Sequence, residues 1–199
     1  MGDTVDFAPG QALVVVDMQN DFADPGGSLF VAGGDDIVEP INVLIASARA
    51  GGATVVLTQD WHPPATPHFI DDGGVWPVHC VRSTWGAALH PDLSNDADAI
   101  IRKGTGGEDG YSAFAMADPL TGDASTTGLE ALLRARAVTR VVVVGLAADV
   151  CVKATALDAV AAGFDTTVIW RATRPVEITA GDGARARAEL EAAGVEVVE

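Results

Sequence analysis

The chain has 199 residues, 28 acidic against 12 basic for a net charge of −16, 48% hydrophobic residues and two cysteines. This length and apolar content suit one α/β domain spanning 1–199. The charge argues against nucleic acid or an anionic membrane surface as partner, since phosphates are held by clustered Lys and Arg. Two cysteines, Cys80 and Cys151, make no disulfide framework and suit a reducing, cytoplasmic setting. Residues 1–9 carry acids and no apolar run, unlike a signal peptide. No stretch has the apolar length of a membrane span.

In chain order, residues 12–16 (Ala-Leu-Val-Val-Val) read as a first strand ending on Asp17. Residues 18–34 form a loop. Asp36 opens a helix with Ile37, Ile41, Leu44, Ile45 and Ala48 on one face, tolerating Pro40 in its first turn. Residues 54–59 make a second strand, followed by Asp60. Residues 61–97 show little periodicity but hold all four histidines and three tryptophans, a composition of functional loops rather than disorder.

Residues 99–103 make a third strand ending on Lys103, followed by a Gly-rich loop 104–110 and then Tyr111. A helix is expected over 127–137. Four consecutive valines, 141–144, read as a strand buried on both faces. A tight turn, Gly145-Leu146-Ala147-Ala148-Asp149, leads into a helix over 152–163. Residues 166–170 make a fifth strand, Asp182 caps a last helix that ends at Gly194, and 195–198 make a sixth strand. Strands alternating with helices imply an α/β fold, a six-stranded parallel sheet doubly wound with helices on both faces.

In such a sheet the C-terminal strand ends share one edge, and ligands bind where the strand order reverses. For the common order 3-2-1-4-5-6, Asp17 and the Cys151 turn are neighbours at the reversal, with Lys103 reaching in from the third strand. Each residue alone has an ordinary explanation: a turn aspartate, a surface lysine, a small thiol packed under a helix. Together they form an acid, a cation and a thiol. The helix N-terminus beside Cys151 favours negative charge, so a lowered thiol pKa is expected there.

A second cluster comprises Asp60, His62, His68 and His79. Asp60 and His62, two apart on an extended segment, point to one side and can share an ion. Mixed N/O ligation suits zinc, iron or manganese. His90 reads as structural and Cys80 as a buried structural thiol.

These segments, namely Val15-Val16-Asp17-Met18-Gln19-Asn20-Asp21-Phe22, Thr58-Gln59-Asp60-Trp61-His62-Pro63, Trp76-Pro77-Val78-His79-Cys80, Arg102-Lys103-Gly104 and residues 144–152, together resemble the nicotinamidases (pyrazinamidases) of the isochorismatase-like cysteine hydrolase superfamily. The resemblance runs nearly end to end and implies a metal-dependent amidohydrolase that deamidates nicotinamide, and pyrazinamide-like amides, in NAD salvage. It implies Asp17 as general base, Cys151 as nucleophile and Lys103 as cationic partner. Asp60, His62 and His79 would bind one divalent metal, zinc foremost, with His68 ligating in some members. Phe22 and Trp76 would wall a ring pocket, with Tyr111 near its mouth. Leu146-Ala147 matches a cis peptide position, turning the Ala147 N–H toward an oxyanion.

The chain departs from the family pattern at Ala148, where Thr is usual, and at Val150, where an aromatic residue or His is usual. Residues 170–175 (Trp-Arg-Ala-Thr-Arg-Pro) are also unusual. The partner implied is a small-molecule amide, and a homo-oligomer is compatible with the reading. Two alternatives stand beside it: a related amidohydrolase acting on a carbamoyl or ureido substrate, and a non-catalytic metal-binding or redox-sensing protein on the same scaffold.

Overall fold

The computed structural model describes residues 6–199; the first five residues of the acidic stretch 1–9, and of the domain span 1–199, lie outside them. In chain order it runs β1 (Gln11–Val16), α1 (Asn20–Ala23), α2 (Val38–Ala50), β2 (Thr54–Asp60), β3 (Ala99–Lys103), β4 (Ala115–Ala117), β5 (Ala124–Thr126), α3 (Leu129–Ala135), β6 (Arg140–Leu146), α4 (Lys153–Ala161), β7 (Asp165–Arg174), α5 (Asp182–Ala192) and β8 (Glu196–Val198).

Six strands form one sheet in the order β3-β2-β1-β6-β7-β8, and every neighbouring pair is parallel. This is the expected doubly wound order. Alternate side chains of β1 divide the core. Leu13 and Val15 pack with Ile41, Leu44, Ile45 and Ala48 of α2 on one face. Ala12, Val14 and Val16 pack with Leu129 and Leu133 of α3, Ala156 and Ala159 of α4 and Leu190 of α5 on the other. α2 forms because its buried residues recur at helical spacing, with Glu39 in its first turn and Arg49 in its last, both favourable to the helix dipole. No helix among the described residues is long and apolar enough to cross a membrane.

Several boundaries differ from the sequence expectation. The loop 18–34 contains α1, and the loop after β3 contains a two-stranded antiparallel hairpin, β4–β5, too short and too exposed to show a period. α3 is two residues shorter at each end than expected; at its start the Thr127 side chain ties back to the Ala113 carbonyl (2.5 Å) rather than entering the helix. Asp182 is not the cap of α5 but lies in its first turn. The Glu177 carboxylate instead takes the N–H groups of Gly181 (2.6 Å) and Gly183 (3.0 Å).

β7 runs four residues past its expected end. Its pairing with β6 breaks after Val143–Val168 and resumes at Gly145–Thr173 and Leu146–Arg174, so the unusual segment after Trp170 carries the resumed pairing. Gly145, at φ +108°, leaves no room for a side chain beside β1; a Cβ there would sit 2.1 Å from the Val16 carbonyl oxygen.

Candidate active site

The C-terminal edge of the sheet gathers chain-distant side chains because the parallel strands all end there. β1 delivers Asp17, β2 delivers Asp60, β3 delivers Lys103 and the segment after β6 delivers Cys151. β2 and β3 pair so that Asp60 stands directly opposite Lys103.

Lys103 is wholly buried and its ammonium is shared. Nζ lies 2.6 Å from Asp17 Oδ2, hydrogen-bonds Asp60 Oδ1 and lies 3.8 Å from Cys151 Sγ. One oxygen each of Asp17 and Asp60 and the Cys151 sulfur fall within 4.8 Å of one another.

Two carboxylates around one ammonium cannot both be equally stabilised. Burial works to raise Asp60, but Lys103 and the imidazoles of His62 and His79 overcome it and hold this carboxyl well below its usual range. Asp17 lacks the imidazoles; burial dominates and pushes it up to about 6 in spite of Lys103. Burial alone would discharge Lys103, yet the two carboxylates keep its pKa well above the ordinary lysine value. Asp17 is therefore the member of the pair that takes up a proton near neutral pH.

The thiol departs from expectation. Burial, aided by Asp17 and Asp60 and opposed by Lys103, raises the Cys151 pKa well above that of a free cysteine. The backbone is the second difference: residues 148–152 form one π-helical turn, with Val152 N–H bonded to the Ala147 carbonyl at 3.0 Å, and α4 follows it. Cys151 lies within that turn and not at a free helix end. The Leu146–Ala147 peptide is cis.

Beside these groups lies a histidine cluster. One ring nitrogen each of His62, His68 and His79 falls within 4.8 Å of the others, and all three side chains are buried. Asp60 Oδ2 is 3.7 Å from both His62 Nε2 and His79 Nε2. His79 Nδ1 is bonded to the Pro77 carbonyl (2.7 Å) and His68 Nδ1 to Asp109 Oδ1 (2.5 Å), which leaves the Nε2 lone pair free on each neutral ring. Burial pushes the His68 pKa down, outweighing the raising effect of Asp109.

Neither ring nitrogen of the fully buried His62 has a hydrogen-bond partner. A polar group so left costs about 1–3 kcal/mol, and a cation bound by one of the two nitrogens removes that nitrogen's part of the cost. Three imidazoles and a carboxylate suit a divalent transition metal. The donor set fits one. His90 stays out of the cluster, its N–H on the Met18 carbonyl (2.8 Å).

A pocket open to solvent lies above these groups. Its lining includes Phe22, Trp76, Tyr111, Leu146, Ala147, Cys151 and the metal-type residues Asp60, His68 and His79. Leu29, Val31, Val150 and Val176 add an apolar side. Trp76 Nε1 donates to Tyr111 Oη at 2.9 Å, tying the two rings together. Val150 thus faces the pocket, whereas the other departure from the family pattern, Ala148, is wholly buried. Cys80 is buried away from the pocket, with its N–H on Asp21 Oδ2 at 2.6 Å.

Three further polar residues escaped the sequence reading. Thr58 Oγ1 donates to Asp17 Oδ1 (2.5 Å) and accepts the Asp17 N–H (3.1 Å). Gln19 holds the Asp60 backbone through both its N–H and its carbonyl, each at 2.8 Å. Asp109 meets His68, as above. Gln19 lies within the Val15–Phe22 run and Thr58 opens the Thr58–Pro63 run, so either could have been singled out there; a loop aspartate carries no such signal.

Comparison with known proteins gives concordant matches. Residues 11–198 match the family model described as the isochorismatase domain. The nicotinamidase of Escherichia coli (strain K12) is 39% identical over 203 residues, covering 94% of this chain and 93% of that protein. A pyrazinamidase of Pyrococcus horikoshii, solved in complex with zinc, superposes with a TM-score of 0.84 at 40% identity over 96% of this chain and 99% of that one. PnC1 from L. infantum, solved in complex with nicotinate, gives a TM-score of 0.88 at 38% identity over 98% and 96%.

Proposed function

The chain belongs to the isochorismatase family, and from that premise we propose that it is a cysteine amidohydrolase deamidating nicotinamide, and related aromatic amides, to the acid and ammonia in NAD salvage. The observation that carries this reading is the shared contact of one buried ammonium with a carboxylate and a thiol, Lys103 Nζ being 2.6 Å from Asp17 Oδ2 and 3.8 Å from Cys151 Sγ. A cytoplasmic location, suited to two free thiols, belongs to the same proposal.

Cys151 rests as a thiol, so it needs a base at the moment of attack. Asp17, with a pKa near 6, is ionised at neutral pH yet basic enough to accept the proton. As the Sγ–H proton passes to Asp17, the sulfur forms a bond to the amide carbon and the carbonyl oxygen takes up the electron pair. The N–H groups of Ala147 and Cys151 are assigned to that oxygen; losing one donor of this kind costs about 2.7–4 kcal/mol. Asp17 then returns the proton to the nitrogen, the C–N bond breaks and ammonia leaves a thioester. Water, losing a proton to Asp17, attacks the thioester; the C–S bond breaks, Asp17 passes that proton to the departing sulfur to restore the thiol, and the acid leaves.

Lys103 keeps its charge throughout and offsets the negative charge that moves between Asp17 and Cys151. Phe22 and Trp76 are assigned to the faces of the substrate ring. Asp60, His62, His68 and His79 would hold one divalent metal, zinc by this proposal, which supplies Lewis-acid binding for a ring nitrogen or a water.

The test is ammonia release across nicotinamide, pyrazinamide and a ureido amide, by the native chain and Cys151→Ala. Turnover of the two aromatic amides, abolished in the variant without loss of fold, is expected. A preference for the ureido amide overturns the substrate assignment, and turnover by Cys151→Ala overturns the nucleophile.

A further inference from the structure

We propose that Asp109 is a positioning residue for the histidine cluster, its carboxylate fixing the His68 ring so that His68 serves as a full ligand beside His62 and His79. This rests on the reading that the cluster holds a divalent metal.

A histidine ligates through one nitrogen, and the hydrogen bond made by the other sets both the tautomer and the ring direction. The three imidazoles here are held differently. His79 is oriented by the neighbouring Pro77 carbonyl, two residues away, and His62 by packing alone, without a hydrogen-bond partner. Among the described residues His68 alone of the three has a ring nitrogen hydrogen-bonded to a carboxylate, and that carboxylate comes from 41 residues along the chain; Asp60 stands 3.7 Å from the other two rings. A carboxylate partner also makes an imidazole a stronger donor to metal than a carbonyl does.

The position of Asp109 is itself secured. Its N–H donates to the Ala117 carbonyl (2.7 Å) and its carbonyl accepts the Ala117 N–H (3.0 Å), a bridge to the β4–β5 hairpin. Two residues earlier, the Gly107 carbonyl accepts the Thr66 hydroxyl (2.8 Å), and Thr66 Oγ1 accepts the His68 N–H (3.2 Å). The Gly-rich loop is therefore clasped to the His68 segment by both side chain and backbone. The hairpin, whose outer strand β5 is entirely exposed, adds little to the core. Mooring Asp109 gives it a role.

The test is zinc affinity, measured by chelator competition on the metal-free protein, with thermal melts of that protein as the control for folding. Asp109→Ala is expected to weaken binding on the order of 10- to 100-fold. Asp109→Asn keeps an acceptor for the same N–H and should recover most of the loss. Asp109→Leu, which fills the space but cannot accept, should not. In a His68→Ala background, Asp109→Ala should have no further effect.

Unchanged affinity in both Asp109→Ala and Asp109→Leu overturns the proposal, as does an undiminished extra loss in the His68→Ala background. His62→Ala separates the two levels. If it loses zinc while the Asp109 variants keep it, only the positioning role falls; if it keeps zinc, the metal reading falls with it.

Discussion

Thr58 Oγ1 lies 2.5 Å from Asp17 Oδ1 while accepting the Asp17 backbone N–H, so one strand hydroxyl fixes both ends of the residue assigned as base. Replacing it with valine, nearly the same shape, removes a donor to the carboxylate and leaves a buried N–H unpaired. Thr58→Val should cost about 1–3 kcal/mol in stability, read as a lowered denaturation midpoint. It should also raise the Asp17 pKa, since the hydroxyl favours the ionised form, and so move the acid limb of kcat/KM to higher pH. A limb at the native position would mean that the hydroxyl does not act on the base.

The native acid limb has its own sign. The base works when ionised, so kcat/KM should fall as pH drops through about 6, the value to which burial lifts Asp17. The folded pKa of Asp17 is raised above its unfolded value. Its contribution to stability is thus fully present below the unfolded pKa near 4 and is lost as pH rises through about 6. Inactivation on going from pH 7 to pH 5 should therefore be reversible and leave the circular dichroism unchanged. A limb near pH 4, or unfolding in step with the lost activity, would contradict this.

Lys103 separates two buried carboxylates, and its removal leaves them facing each other. Lys103→Met should destabilise the fold by about 3–5 kcal/mol, the usual cost of breaking a buried pair from one side, and abolish ammonia release. A variant as stable as the native chain in urea melts would show that Asp17 and Asp60 are not charged together in the resting protein.

Gly104 leaves the space that the His62 ring occupies. A Cβ there would lie 2.5 Å from His62 Cε1 and 2.6 Å from Nδ1, at a backbone φ of +69° that side chains rarely adopt. Gly104→Ala should push the imidazole out of line and lower the metal content at a fixed chelator concentration by at least about tenfold, in keeping with other perturbations around metal ligands. Full metal content would mean that His62 is not a ligand.

The frame of this arrangement was legible in the sequence and its chemistry less so. Hydrophobic runs ending on Asp17, Asp60 and Lys103, with the common doubly wound strand order assumed, led to one shared edge. What escaped were groups whose role depends on a partner far along the chain. Thr58 reads as an ordinary β-branched strand residue, and Asp109 as a polar loop residue, until Asp17 and His68 are seen beside them. The thiol differs from the sequence expectation for a related reason: a helix end and a lysine are visible in sequence, whereas burial beside two carboxylates is a property of the assembled edge. Glu177, which takes the capping role expected of Asp182, reaches its place only through the turn that follows β7.

The most direct test of the central claim is to quench the enzyme with acid during turnover of nicotinamide and locate the acyl group by peptide mass spectrometry. A mass increment of one nicotinoyl group is expected on the peptide bearing Cys151, and none on the peptide bearing Cys80. Hydrolysis that proceeds with no acylated Cys151 at any quench time, and that persists in Cys151→Ala, would contradict it.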